Sequence, residues 1–323
     1  MFANVSKARP FIDGSPDAAT IAAASYENAR CDSMIIGLTP LKQWARLNIL
    51  MPLFCKNHEI REQMRRSPPQ RARMIFSKCG SGVASYVAAL CQEFCLNLIV
   101  LRSDGFDVKR LPHVFDEACK NQPCVVFFDH TYSWFSPGLW MSNGQHYFAA
   151  VRDLAESNRL TNMHTNVLQT VSSGSPFTYP ENVWSIVSLT GPLCDFPVDN
   201  NAMDFMFMHI TYLESLNDQE LVSFLVFYYK KLWGAGAEEE QHMKTIVTQA
   251  KAAAVEFKDQ TPGFITMIIN HCMSKSLSAM ASGANASDIL HSSVSRLPLL
   301  SDIRTILLPM RERASVVVAQ PKK

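Results

Sequence analysis

Two features of this chain have the types and order needed to handle a phosphorylated ligand. Gly80-Ser81-Gly82 lies between a strand-sized apolar run at residues 72–76 and a helical stretch at 83–94, where Val87, Leu90, Cys91 and Phe94 share one face. Glycines in such a loop let backbone N–H groups approach an anion, and the dipole of the following helix favours negative charge. The second feature is Asp129, at the end of the most apolar run in the chain, residues 124–129. An acid at the tip of a later strand is the usual handle for magnesium. Taken alone, Gly-Ser-Gly is weak, because turns use glycine everywhere.

Other chemistry finds less support. A Cys/His hydrolase would pair Cys79 or Cys124 with His130, but the sequence places no orienting acid beside them. The nine cysteines scatter without a C-x-x-C pair, so no zinc site is expected. Cys91 and Cys95, four apart in an apolar helical pattern, read as buried thiols. His146 and His209 read as core or surface residues rather than ligands.

The surrounding elements follow from periodicity. Leu41, Trp44, Ala45, Asn48 and Ile49 give a helix over 39–50 with a cap near Thr39. Pro52 and Ser67-Pro68-Pro69 then punctuate the chain as loop. Beyond the glycines come a strand at 98–101, a helix at 111–120, the strand ending in Asp129, a helix at 147–160 and a strand at 183–189. Continuous apolar strands alternating with amphipathic helices indicate a parallel sheet covered on both faces. Near Ser215 the texture turns helical. Asn217 and Glu220 are spaced as a capping box, and Leu221, Phe224, Leu225 and Tyr228 form the first apolar stripe. Gly234 marks a turn, and helices at 243–257 and 264–277 follow. This divides the chain into an arm at 1–30 that is mobile or partly helical, an α/β domain at 31–213 and a helical domain at 214–323 whose last fifteen residues fray.

Composition narrows the partners. Thirty Lys+Arg nearly cancel 29 Asp+Glu, so the net field does not favour nucleic acid or an anionic membrane. Arg61, Arg65, Arg66, Arg71 and Arg73 crowd one stretch, which reads as a solvated helix end and loop. The longest apolar run, 221–229, is far shorter than the ~20 residues of a membrane span, and no signal-peptide layout opens the chain. Cytosol or nucleus is the expected compartment.

The order and spacing of several motifs resemble one family. Ile36-Gly37-Leu38-Thr39-Pro40-Leu41-Lys42 resembles the isoleucine-x-glycine-leucine lead-in of the meiotic-clade AAA+ ATPases, the group of katanin, spastin, fidgetin and the vacuolar-sorting disassembly ATPases. Arg66-Ser67-Pro68-Pro69 is similar to the segment before that family's phosphate loop. Val114-Phe115-Asp116-Glu117-Ala118, followed by Pro123 and the run ending at Asp129, resembles its leucine-phenylalanine-x-x-alanine helix and Walker B strand. The likeness covers roughly residues 31–300. It implies a P-loop parallel sheet sandwiched by helices and followed by a smaller helical lid. It also implies Gly80, Ser81, Gly82 and Asp129 as nucleotide-binding positions, with Asp129 toward magnesium. No N-terminal microtubule-interacting domain is expected.

The departures fall on the catalytic positions. Where the family has lysine and then Ser/Thr after the last glycine, this chain has Val83 and Ala84. The lysine opposes phosphate charge and the hydroxyl holds magnesium; valine and alanine do neither. Lys78 and Cys79 stand where two prolines are usual. His130 replaces the glutamate that polarises water. Gly191 takes the sensor 1 position, and Met203 and Asp204 take those of the paired arginines, where a negative charge opposes the transition state. The pore loop is shortened across 103–110, leaving Phe106 as its only aromatic, and the glycine-serine-aspartate turn is replaced around Phe264–Met267.

The expected protein is therefore a catalytically degenerate AAA+ module that binds another protein, an active AAA+ relative among the candidates. ATP and magnesium are not required and bind weakly if at all. The alternative is a weak ATPase of severing or disassembly type, with microtubules implied by the resemblance alone.

Overall fold

A computed structural model describes residues 5–6, 29–66, 71–102, 111–129, 182–190, 210–234, 237–283, 297–298 and 300–318. It divides into two compact units, Met1–Glu214 and Ser215–Lys323. The helix expected at 147–160 and the shortened loop at 103–110 lie outside the described residues.

The first unit is built on six strands: β1 (Val5–Ser6), β2 (Ala72–Ser77), β3 (Asn97–Arg102), β4 (Cys124–Asp129), β5 (Val183–Thr190) and β6 (Ile210–Tyr212). Their order across the sheet is β1-β3-β4-β5-β2-β6. Every pair is parallel except β1 with β3. All six residues of β4 are buried, as a strand covered on both faces requires. One face of the sheet carries Ile75, Val125, Phe127, Trp184 and Ile186, which share a core with Val83, Tyr86, Val87 and Leu90 of helix α4 (Val83–Glu93). The opposite face, with Met74, Phe76, Ile99, Val126, Phe128 and Val187, is equally buried. The α/β class and the parallel sheet follow the sequence expectation. Of the arm expected at 1–30, Val5–Ser6 form a strand on the β3 edge, and residues 1–4 and 7–28 lie outside the described residues.

Ahead of β2 run α1 (Arg30–Met34), α2 (Thr39–Ala45) and α3 (His58–Arg66). Two expectations fail here. Thr39 is not a cap; Leu38 occupies that position at φ 59°, and Pro40 supplies the first turn. Nor does Pro52 end the helix. After Ala45 the chain widens into a π turn (Arg46–Leu50) and continues through Met51–Phe54. Pro52 has no N–H to give the Asn48 carbonyl four residues earlier. The indole of Trp184 in β5 donates to that carbonyl at 2.7 Å instead, so a sheet residue satisfies what proline removes.

Helix α4 ends at Glu93, with Cys95 left-handed at φ 54° and the Leu96 N–H returning to the Cys91 carbonyl at 2.9 Å. Cys91 is buried as expected, but this turn leaves Cys95 exposed. Helix α5 (Leu111–Lys120) matches its expected bounds and packs against β4.

The second unit holds α6 (Asp218–Trp233), α7 (Glu240–Glu256), α8 (Pro262–Gly283) and α9 (Leu300–Val318). Asn217 caps α6 as a full capping box: its side chain accepts from the Glu220 N–H at 2.9 Å, and Glu220 accepts from the Asn217 N–H at 3.0 Å. Leu221, Leu225 and Tyr229 bury that helix against Ile246, Ala250, Ile265 and Ile269, while Phe224 and Tyr228 of the expected stripe are only partly covered. Gly234 closes it at φ 73°. The tail expected to fray from residue 309 is helical to Val318.

Candidate functional site

Because β2 to β6 are parallel, their carboxyl ends open on one edge, which is where ligands bind in open α/β sheets. The Gly-rich loop leaves this edge from β2, and Asp129 lies on it at the end of β4, with β5 between the two strands. Gly80 and Gly82 both take positive φ, 79° and 97°. Gly82 is the N-cap of α4 and, having no side chain, leaves the first-turn N–H groups without a side-chain cap. Lys78 and Cys79 are exposed on the loop, and the Ser81 N–H closes it onto the Lys78 carbonyl at 3.2 Å.

The residues after the glycines differ in direction. Val83 is 3% exposed and belongs to the core between α4 and the sheet, whereas Ala84 and Ser85 face outward. Burial is natural for an isopropyl side chain at the start of a helix lying on an apolar sheet. It also means that the position after the last glycine is committed to packing. Ala84 offers a methyl group and no hydroxyl.

Strand alternation places several polar groups at the same edge, on the α4 face. Ser77 continues the parity of Ile75, Asp129 that of Phe127, and Ser188 and Thr190 that of Ile186. Ser77 lies in register with Thr190, and one step beyond the Phe128–Val187 pair Asp129 comes level with Ser188. Ser77 is 6% exposed, and among the described residues its Oγ has no hydrogen-bond partner. Asp129 is 8% exposed, and the Arg102 guanidinium, in register with it on β3, lies 4.0 Å from its carboxylate. Arg102 is itself 74% exposed, so the pairing is solvated and weak. Ser77, Ser188, Thr190 and Arg102 were not singled out from the sequence. Counting by twos from Ile75, Phe127 and Ile186 finds the first three, and the parallel register finds the fourth.

The lead-in segment is fastened beside the loop. The Glu93 carboxylate accepts from the Arg30 and Cys31 N–H groups at 2.6 and 2.7 Å, and Arg46 pairs with Asp32 at 2.7 Å. Lys42 donates to the Asp32 carbonyl at 2.7 Å and to that of Ile35. Gly37 and Leu38 then reverse the chain at φ 80° and 59°, the second an uncommon geometry for leucine. Ile35 and Leu38 methyl carbons come to 4.0 Å from where a Cβ on Gly82 would sit, so an apolar wall flanks the loop.

A magnesium–triphosphate group does not fit these residues well. The positive-φ glycines and the N-terminus of α4 suit an anion. Against that, the buried Val83 supplies no charge and Ala84 no metal-held oxygen, and among the described residues the cation paired with Asp129 is Arg102. Among the described residues no cluster of three His, Cys, Asp or Glu is placed to hold a metal ion. His130, Gly191, Met203 and Asp204 lie outside the described residues. The Cys/His alternative is not supported by geometry. Cys124 opens β4 at the far end of the sheet from Cys79, and burial pushes its thiol up to about 12, which disfavours the thiolate a nucleophile needs. Among the described residues no helix is long and apolar enough to cross a membrane.

No family model matches the chain, and no curated protein matches it. Among solved structures, a chain from work on the structural basis for katanin self-assembly is similar over 90% of both chains, with TM-score 0.52 and 13% sequence identity. At that identity the likeness establishes an AAA+-like fold and nothing of activity.

Proposed function

We propose that this protein is a non-hydrolysing AAA+-type module whose role is to bind another protein. The observation that carries the reading is Val83, buried in the core at the position where a phosphate loop needs a free cation. Ala84, the second replacement, removes the hydroxyl that would hold magnesium. Each lost charge-assisted phosphate contact is worth roughly 1.5–3 kcal/mol, so losing two weakens triphosphate binding on the order of 10²–10⁴-fold. Around Val83 the packing of α4 on the parallel sheet is kept among the described residues, which is what a module kept for its surface requires. The katanin neighbour comes from a study of self-assembly, and by that analogy the partner is a second AAA+ chain, with the helical unit taking the part of a lid. The compartment that goes with this reading is a reducing one, cytosol or nucleus.

A second reading keeps weak nucleotide binding without efficient turnover. It is favoured by the positive-φ glycines and the uncapped N-terminus of α4. Steady-state ATP hydrolysis by the purified chain separates the two. We expect no rate above background; a rate that disappears when Asp129 and His130 are changed to alanine would overturn the proposal.

A further inference from the structure

We propose that Cys79, at the apex of the glycine loop, is a modification site for small anionic disulfides of the glutathione disulfide class, with the loop holding a carboxylate of the attached group. The inference goes beyond the binding role above and involves neither ATP nor a protein partner.

The loop is built to present this thiol. The Ser81 N–H bonds to the Lys78 carbonyl at 3.2 Å and Gly80 has φ 79°, which makes a type II turn over residues 78–81. Cys79 takes the second position of that turn. Among the described cysteines only Cys79 and Cys95 are exposed. Three residues beyond Cys79, Gly82 is the N-cap of the 11-residue helix α4, with no side-chain cap. The positive end of the helix dipole therefore lies within about 10 Å of Cys79. Thiol–disulfide exchange carries negative charge on its sulfurs, and that end of a helix favours such charge.

The same helix supplies its own comparison. Cys95 follows Glu93, the last residue of α4, by two positions and so lies at the carbonyl end, where the dipole is negative. Two exposed thiols of one chain thus sit at opposite ends of one helix.

An independent observation points to an attached anion. Strand alternation puts Ser77, the last residue of β2, on the α4 face, so its hydroxyl aims beneath the loop that rises to Gly82. It is 6% exposed, and among the described residues its Oγ has no hydrogen-bond partner. Leaving a buried donor unmade is costly, and a carboxylate seated in the loop would accept from it. The Ile35 and Leu38 methyl carbons, 4.0 Å from the place of a Gly82 Cβ, back the methylene stems of such a group. A glutathionyl group carries a carboxylate at each end of a short flexible chain, so one can return to the loop while the sulfur stays on Cys79.

In the exchange step the Cys79 thiolate attacks one sulfur of the disulfide. The reagent's S–S bond breaks as the Cys79 S–S bond forms, and the other half leaves as a thiolate that takes up the proton Cys79 gave up. The protein thiol is oxidised, half of the reagent is reduced, and excess thiol reverses the step.

The test follows the full chain at low ionic strength with three aliphatic disulfides: glutathione disulfide (anionic), hydroxyethyl disulfide (neutral) and cystamine (cationic). Fragment-ion mass spectrometry reads the extent of reaction at Cys79 and Cys95. Each helix end is worth a factor of about 2–5, so with glutathione disulfide Cys79 should react about 3- to 30-fold faster than Cys95. That ratio should fall at least threefold with cystamine. Ser77→Ala should keep the native melting temperature and slow the glutathione disulfide reaction at Cys79 at least threefold, with the hydroxyethyl disulfide rate unchanged. Equal rates at the two thiols, or one ratio for all three reagents, would reduce Cys79 to an ordinary exposed thiol and overturn the proposal. An unaltered rate in Ser77→Ala, or an anion preference lost in Lys78→Gln, would overturn the part assigned to the cradle. No arm measures ATP turnover or partner binding, so this inference and the non-hydrolysing reading fail separately.

Discussion

Replacing Val83 measures directly whether the residue after the glycines faces the ligand or the core. Val83→Ala removes two methyl groups from a side chain that is 3% exposed. At about 0.8 kcal/mol for each buried carbon, plus a cavity contribution, the cost is about 2 kcal/mol. For a unit of this size that is a fall in melting temperature of about 4–8 °C. Val83→Lys should cost more, because an ammonium would have to be desolvated or drag its stem out of the core. Ala84→Ser, on the exposed neighbour, should stay within about 0.5 kcal/mol of the native chain. Urea unfolding followed by circular dichroism, with thermal scans in parallel, gives all three values. The reasoning fails if Val83→Lys is as stable as the native chain and gains stability from millimolar ATP. That result would put the side chain in the cradle.

Further predictions concern what holds the site's surroundings. Glu93→Ala uncaps α1 and should cost about 1–2 kcal/mol, with faster hydrogen exchange at the Cys31 amide. Trp184→Phe leaves the Asn48 carbonyl with neither an indole nor a Pro52 N–H and should cost about 1–3 kcal/mol, read by urea unfolding. Asn217→Ala breaks the capping box and should lower the stability of the helical unit by about 1 kcal/mol, again by urea unfolding. Stability should also fall at alkaline pH. Burial raises Cys124 from 9.0 to about 12, so the folded thiol keeps a proton that the unfolded chain loses. Its contribution is complete below pH 9 and is lost as pH rises from 9 to 12. Buried Tyr86 and Tyr229, also raised by burial, act in the same direction. Urea unfolding across this range should show a steeper pH dependence for the native chain than for Cys124→Ala.

What the sequence revealed divides along physical lines. β4 and α5 were legible to the residue because each is a strong local pattern: an unbroken apolar run closed by an acid, and an amphipathic helix between polar turns. The Asn217–Glu220 capping box was equally local. Pro52 misled because its lost hydrogen bond is replaced from β5, more than a hundred residues away. Leu38 could not be read as a helix N-cap, since leucine rarely takes the left-handed conformation that the turn after Gly37 imposes here. At the site, Gly80, Gly82 and Asp129 announced themselves by type and order. The inward direction of Val83 did not, because it depends on how α4 lies on the sheet. Ser77 and Ser188 looked like ordinary strand residues until alternation placed them on the same face as Asp129.

The central claim is that the cradle has the backbone of a phosphate site without its chemistry. Equilibrium binding of a fluorescent ATP analogue to the purified chain, with and without magnesium, tests it most directly. The account predicts no magnesium-dependent binding up to millimolar ligand. Magnesium-dependent binding that disappears in Asp129→Ala would contradict it and establish a living nucleotide site.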